Sequence, residues 1–145
     1  MVENILIRRV ERNDMSEVVE MLQSISSFLP PEASFDEIWK AFASQNNVYS
    51  LVAEDCGTLV GYGSIVIEVK IRGGKLGHIE DIVVHELQRG RGIGAMILVA
   101  LETTAISEGC YKLALQCKSE NVPFYERCGY QSGSNGLHRL LPFKE

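Results

Sequence analysis

Three short stretches of this 145-residue chain carry residue types suited to chemistry: Glu80-Asp81, Arg89-Gly90-Arg91-Gly92-Ile93-Gly94, and Asn121-Val122-Pro123-Phe124-Tyr125. A glycine-rich turn that opens a helix exposes backbone N–H groups at the positive end of the helix dipole, which suits phosphate. Arg89 and Arg91 add cations beside those amides. A carboxylate such as Glu80 or Asp81 can take a proton or hold hydroxyls. The two are neighbours in a strand pattern, so alternation predicts that they point to opposite faces. Tyr125 is a proton donor at neutral pH, because a free phenol titrates near about 10.

The glycine run excludes two common phosphate sites. A P-loop needs Gly-Lys followed by Ser or Thr, and Gly92-Ile93-Gly94 lacks both. A dinucleotide fingerprint needs G-x-G-x-x-G in a parallel βαβ unit, whereas antiparallel hairpins precede this run. The pyrophosphate of coenzyme A is the third candidate, and a glycine turn without a ligand is the bland alternative.

The elements that must position these residues follow from patterning. Ile5–Val10 reads as a strand. Asn13 and Asp14, with Glu17 three residues after Asp14, read as a helix start of the capping-box kind. Val18, Met21, Leu22 and Ile25 recur at helical spacing, and Pro30-Pro31 ends that helix. Ser34 caps a second helix carrying Phe35, Ile38, Trp39 and Phe42. Val48–Asp55, Leu59–Arg72 and Leu76–Val84 read as strands joined by turns at Cys56-Gly57-Thr58 and Gly73-Gly74. The glycine run opens a helix to about Ser107, with Ile97, Leu98, Leu101 and Ile106 inward and Gly109 as C-terminal cap. Tyr111–Cys117 reads as a buried strand, Asn121–Arg127 as a short helix, and the tail from Tyr130 to Phe143 as ending in a last strand. One α/β domain over residues 1–145 is expected, in the order β-α-α-β-β-β-α-β-α-β.

Composition narrows the class. Hydrophobic residues make up 46% and the net charge is −5, so a globular chain without general affinity for nucleic acid or anionic membrane is expected. Cys56, Cys110, Cys117 and Cys128 form no C-x-x-C pair, so neither a zinc site nor a thioredoxin motif is supported. His78 and His85 are too few and too separated for a metal site. Met1–Arg12 lacks the apolar core of a secretory signal, no apolar run reaches membrane-spanning length, and the C-terminal residues match no sorting signal, so reduced thiols in the cytoplasm are expected.

Arg89, Gly92 and Gly94 match the acetyl-CoA signature Q/R-x-x-G-x-G/A, and the chain resembles the GNAT acetyltransferase superfamily. Gly77-His78-Ile79-Glu80-Asp81-Ile82-Val83-Val84, Gly109-Cys110-Tyr111-Lys112-Leu113 and Asn121 to Tyr130 are similar to segments of the glucosamine-6-phosphate N-acetyltransferases. The opening Ile7-Arg8-Arg9 is similar too. The resemblance is strong from Ile65 to Tyr130 and weaker elsewhere. It implies the GNAT fold: a mixed central sheet, antiparallel in its N-terminal part, splayed in the middle and flanked by helices. It also implies acetyl-CoA as co-substrate without a metal, direct transfer to a sugar phosphate, and a homodimer with shared active sites.

By this resemblance Tyr125 protonates the departing sulfur, Glu80 draws the amine proton through water and Asp81 holds hydroxyls. The backbone of Ile82, Val83 and Val84 pairs with the pantetheine arm. Arg89, Gly90, Arg91, Gly92, Ile93 and Gly94 hold the pyrophosphate, and Asn121 orients the coenzyme or the turn before Tyr125. Ser26, Lys70, Lys112 and Arg139 are implied for the sugar phosphate, with Arg72 a rival. Gln116 stands where the family usually has Asp or Glu, and an amide accepts no proton there; its backbone contact to the amine survives the change. The loop after Lys70 is shorter than the usual pattern. Cys117 and Cys128 read as packing residues. A GNAT acting on another amine and a non-catalytic acetyl-CoA-binding module are the competing readings.

Overall fold

The computed structural model describes residues 4–142. By contact the chain forms two units, residues 1–115 and 116–145. The first holds β1 (Ile5–Arg9), α1 (Met15–Leu22), α2 (Phe35–Ala43), β2 (Val48–Asp55), β3 (Thr58–Val69), β4 (Lys75–Val84), α3 (Ile93–Ser107) and β5 (Cys110–Ala114). The second holds α4 (Val122–Arg127). The strands form one sheet in the order β1-β2-β3-β4-β5. β1 to β4 are antiparallel neighbours and β5 runs parallel to β4, which gives the mixed sheet that was expected.

The register assigns the faces. Val52 pairs with Tyr62 and Tyr62 with Val83, so these three share a face. Val18 and Met21 of α1 pack with them in one cluster. α3 covers the opposite face, where a Cβ on Gly63 would lie 2.7 Å from both Ile97 and Ile82. Glycine is what lets helix and strand approach so closely here. Ile93, Ile97, Leu98 and Leu101 are buried, and burying four such side chains contributes several kcal/mol, at roughly 1.5–3 each.

Two features of the sheet shape the site. First, β5 pairs with β4 only from Lys75 to His78. From Ile79 to Val84 the β5-side edge of β4 has no strand partner among the described residues, and this is the splay. Second, Ser64 pairs with Glu80 and Tyr62 with Val83, so Asp81 and Ile82 together face Gly63 alone. This is a β-bulge, and Asp81 sits in it at φ 56°. Aspartate is among the few non-glycine residues that tolerate this region.

Several expectations are corrected. α1 ends at Leu22, and Ile25 lies in the following turn, 40% exposed. The capping box lies one turn earlier than Asp14-Glu17: Glu11 caps a short 3-10 turn, and Asp14 accepts the Glu11 N–H at 2.7 Å. Asp14 also takes both guanidinium nitrogens of Arg8, at 2.8 and 2.9 Å, so its oxygens are spent before α1 begins. Ile106 is 78% exposed and Ala105 is buried instead, because the inward stripe from Leu98 and Leu101 continues to 105 at helical spacing. β5 stops at Ala114 and is only half-buried, as an edge strand paired on one side should be. The tail has no strand among its described residues. Ser132-Gly133-Ser134-Asn135-Gly136 has poor strand propensity, and Phe143 lies outside the described residues.

Candidate active site

The glycine run behaves as its composition dictates. A 3-10 turn, Glu86–Gln88, follows β4. Gly90 and Gly92 then take φ of 86° and 80°, values that a side chain at either position would oppose. Gly92 is the N-cap of α3, and the first bonded amide is that of Met96, to the Gly92 carbonyl. The amides of Ile93, Gly94 and Ala95 therefore precede the intrahelical ladder. Arg91 is tied down by Asp55 at 3.0 Å and by Gln88. Arg89 is exposed and makes no salt bridge among the described residues, so the two arginines divide the work: Arg91 shapes the loop and Arg89 is available to an anion.

A cleft beside this loop is lined by Glu17, Glu20 and Met21 of α1, by Ser24 in the turn after it, and by Val84, His85, Glu86 and Arg89. Three carboxylates against one guanidinium make it unsuited to polyphosphate. The start of α3 instead offers the amides of Ile93, Gly94 and Ala95, which suit an anion.

The bulge changes the geometry expected for the two acids. Glu80 faces the same side as Ser64 and Tyr62. The Asp81 charge reaches the buried Tyr62 phenol and helps hold its pKa above the usual range, after the larger effect of burial. Strict alternation is broken by the bulge at Asp81, and Glu80 lies on the side of the sheet that carries α1. Ser50 and Ser64 act in the opposite sense on the Tyr62 phenol, and their hydroxyls meet at 2.7 Å. This buried hydroxyl cluster beneath the acids was not anticipated. Its signal was the polar Ser50 and Ser64 inside otherwise apolar strands. Asp81 is exposed as a residue, yet desolvation of its carboxylate raises its pKa.

The same face continues toward the β3–β4 hairpin. His78 pairs with Val66 and Glu68 with Leu76, and Lys112 of β5 lies opposite Leu76. Glu68 accepts from His78 Nε2 at 2.8 Å and from Lys70 Nζ at 3.0 Å. Lys112 and Glu80 thus lie on one face, and the Lys70 side chain reaches Glu68 of that face. Ser26 is exposed in the turn after α1, its N–H bonded to the Leu22 carbonyl.

In the second unit, Asn121 is the N-cap of α4 but makes no side-chain cap bond, so its amide is not consumed by the helix. Tyr125 packs edge-on against Phe124, ring centroids 4.9 Å apart, and at 6.0 Å from Tyr130. Burial, with Cys117 and Cys128 adding smaller effects, pushes its phenol pKa up. It therefore stays protonated throughout the neutral range. Gln116 lies against Gly136, whose added Cβ would come within 3.1 Å of the amide carbon. Arg139 is exposed.

A strand edge left open, a glycine-led helix start beyond it and two adjacent acids thus lie within the first unit. The model of the Acetyltransferase (GNAT) family matches residues 15–130, and the chain belongs to that family. Within it, the chain is 38% identical over 128 residues to glucosamine 6-phosphate N-acetyltransferase 1 of Dictyostelium discoideum, covering 85% of this chain and 82% of that protein. It is 34% identical over 142 residues to the glucosamine 6-phosphate N-acetyltransferase of Arabidopsis thaliana, covering 92% and 95%. The crystal structure of glucosamine-6-phosphate N-acetyltransferase from Arabidopsis thaliana superposes with a TM-score of 0.88 at 31% identity, covering 97% of this chain and all of that one. The chain therefore groups with the glucosamine 6-phosphate N-acetyltransferases and is an acyltransferase.

Proposed function

We propose that the protein transfers the acetyl group of acetyl-CoA directly to the amine of glucosamine 6-phosphate. The observation that carries this reading is the free edge of β4 from Ile79 to Val84, which leads into the Gly92-capped start of α3. A pantetheine arm has peptide-like amides that can pair along such an edge, as an added strand would. The pyrophosphate then meets the amides of Ile93 and Gly94 and the cation of Arg89.

In the reaction, the neutral amine attacks the thioester carbonyl. The new N–C bond forms, the C–S bond breaks, and the amine proton leaves to Glu80 through water. A backbone N–H of the Ile82–Val84 stretch steadies the developing oxyanion. Tyr125, kept protonated at neutral pH by burial, gives its proton to the departing thiolate. Asp81 holds sugar hydroxyls, Gln116 contributes its backbone, and Asn121 orients the coenzyme. Ser26, Lys70, Lys112 and Arg139 serve the phosphate. Holding both substrates in reacting geometry is worth up to roughly 7–11 kcal/mol of barrier.

A homodimer fits the exposed apolar residues of the hairpin and β5, Val69, Ile71 and Tyr111, and of the tail, Leu137, Leu140 and Leu141. The four cysteines are unpaired, in keeping with a reducing cytoplasm. Among the described residues no helix is long and apolar enough to cross a membrane.

A second reading draws on the cleft with Glu17, Glu20 and Glu86, whose charge favours a cationic amine. Free-thiol release from acetyl-CoA, with glucosamine 6-phosphate, glucosamine and spermidine as parallel acceptors, separates the two. Turnover confined to the phosphorylated sugar supports the first reading. Turnover with spermidine alone replaces it with the second. Coenzyme binding without any turnover points to a binding module.

A further inference from the structure

One carboxylate on the acceptor face already does what a phosphate oxygen would do. Glu68 Oε1 accepts from both Lys70 Nζ, at 3.0 Å, and His78 Nε2, at 2.8 Å. Groups that converge on a carboxylate oxygen also suit a phosphate oxygen. The register puts Glu68, His78 and Glu80 on one face of the sheet, with Lys112 opposite Leu76 on that face. His78 stands two residues before Glu80, a step of roughly 7 Å along the strand. Glu68 is 45% exposed in its side chain, and Lys70 and His78 are 38% and 35% exposed. It can therefore swing into water without uncovering the core.

We propose that Glu68 is a specificity-determining residue that occupies the phosphate position in the unliganded protein, and that the phosphate of the acceptor displaces it from Lys70 and His78. This rests on the phosphate reading of Lys70 given above and adds His78 as a second donor to the phosphate. The exchange is favourable for one class of acceptor only. A phosphate carries nearly two negative charges and three acceptor oxygens, so it replaces the carboxylate with more charge and more acceptors. An unphosphorylated amino sugar offers neither, and it leaves Glu68 in place. Lys70 and His78 are thereby kept from neutral competitors in the absence of substrate. The Glu68 carboxylate is stabilised in its ionised form, chiefly by His78 and then by Lys70, as a resident anion should be.

The test compares the full-length protein with Glu68→Gln, His78→Gln and Lys70→Ala, by steady-state kinetics and by inhibition with inorganic phosphate. Glu68→Gln keeps an acceptor oxygen but removes the competing charge. It is expected to lower KM for glucosamine 6-phosphate and Ki for inorganic phosphate about fivefold, with KM for acetyl-CoA unchanged, a change of the size expected for one charge-assisted contact. His78→Gln is expected to raise KM for the phosphorylated sugar and Ki for inorganic phosphate several-fold and to leave KM for acetyl-CoA unaltered. The effects of Glu68→Gln and His78→Gln should not add, because each removes the other's partner. An unchanged or higher KM and Ki in Glu68→Gln, with the melting temperature preserved, overturns the proposal. If Lys70→Ala leaves KM for the phosphorylated sugar untouched, the underlying phosphate assignment fails first, and that result is distinct from failure of the exchange. Should Glu68→Gln fold poorly, Glu68→Ala gives the same Ki comparison.

Discussion

The terminal carbon of Ile82 lies 2.7 Å from the point that a Cβ on Gly63 would occupy. These two residues meet because β4 carries an extra residue against Gly63, and the approach fixes the bulge that turns Asp81 out of the alternating pattern. Gly63→Ala should force Ile82 and Ile97 aside. A loss of about 1–3 kcal/mol is expected from overpacking of this kind, read as a lower urea midpoint at unchanged slope. A midpoint equal to wild type would mean that the bulge does not depend on the glycine.

Asp81 combines an unusual backbone with a carboxylate that is costly to ionise in place. Its folded pKa is raised by desolvation, so the folded state binds the proton more tightly than the unfolded one. The ionised group therefore detracts from stability, and that deficit develops as pH rises above about 4, the ordinary aspartate value. Asp81→Asn keeps a residue that tolerates positive φ and removes the charge. It should melt higher than wild type at neutral pH, with the difference shrinking as the pH falls toward 4, while KM for the sugar rises. Asp81→Val should destabilise, since a β-branched residue opposes φ 56°. A lower melting point for Asp81→Asn at neutral pH would contradict this account.

Tyr125→Phe should lower kcat on the order of 100-fold, the lower end for general acid catalysis, and leave KM for acetyl-CoA within a few-fold. Because burial raises the phenol pKa, the wild-type rate should show no loss from Tyr125 ionisation until pH exceeds the ordinary phenol range near about 10. Equal kcat values for the two proteins would remove the acid role.

Arg8 grips Asp14 with two nitrogens and also reaches Glu54 at 3.3 Å. The Arg8 guanidinium, aided by the Glu11 N–H, holds the Asp14 carboxyl below its usual value against the opposing effect of burial. The stabilisation is complete above the unfolded pKa of about 3.9 and is lost as pH falls through the lower folded value. Asp14→Asn should cost about 1–3 kcal/mol at neutral pH, the range for leaving a charge-assisted bond unmade. Thermal unfolding from pH 7 down to 2 should bring the variant and wild-type curves together at the acid end. Parallel curves would assign the stability to other groups.

Much of this was legible in the chain itself. β2 falls on Val48–Asp55 as the alternation indicates, and the start of α3 follows from Gly92 and the buried Ile93, Ile97, Leu98 and Leu101. The roles of Glu80 and Tyr125 came from resemblance rather than spacing. The bulge was not legible, because an aspartate at positive φ leaves no mark in a pattern of apolar and polar residues. Nor was the exchange of partners at Asp14, which depends on Arg8 arriving from β1. The strand expected at the end of the tail from Tyr130 to Phe143 is absent among the described residues, where Ser132-Gly133-Ser134-Asn135-Gly136 favours turns over strand.

The short overlap of β4 with β5 has a consequence for the life of the protein in the cell. Among the described residues six of β4, from Ile79 to Val84, have no strand on one edge, so a coenzyme pairing there, as proposed above, would finish that part of the sheet. A ligand that binds the folded chain alone stabilises it by about 2.7 kcal/mol at a hundred times its dissociation constant. The durability of this enzyme, and with it its abundance under heat or proteolysis, should rise and fall with the supply of its own acetyl donor.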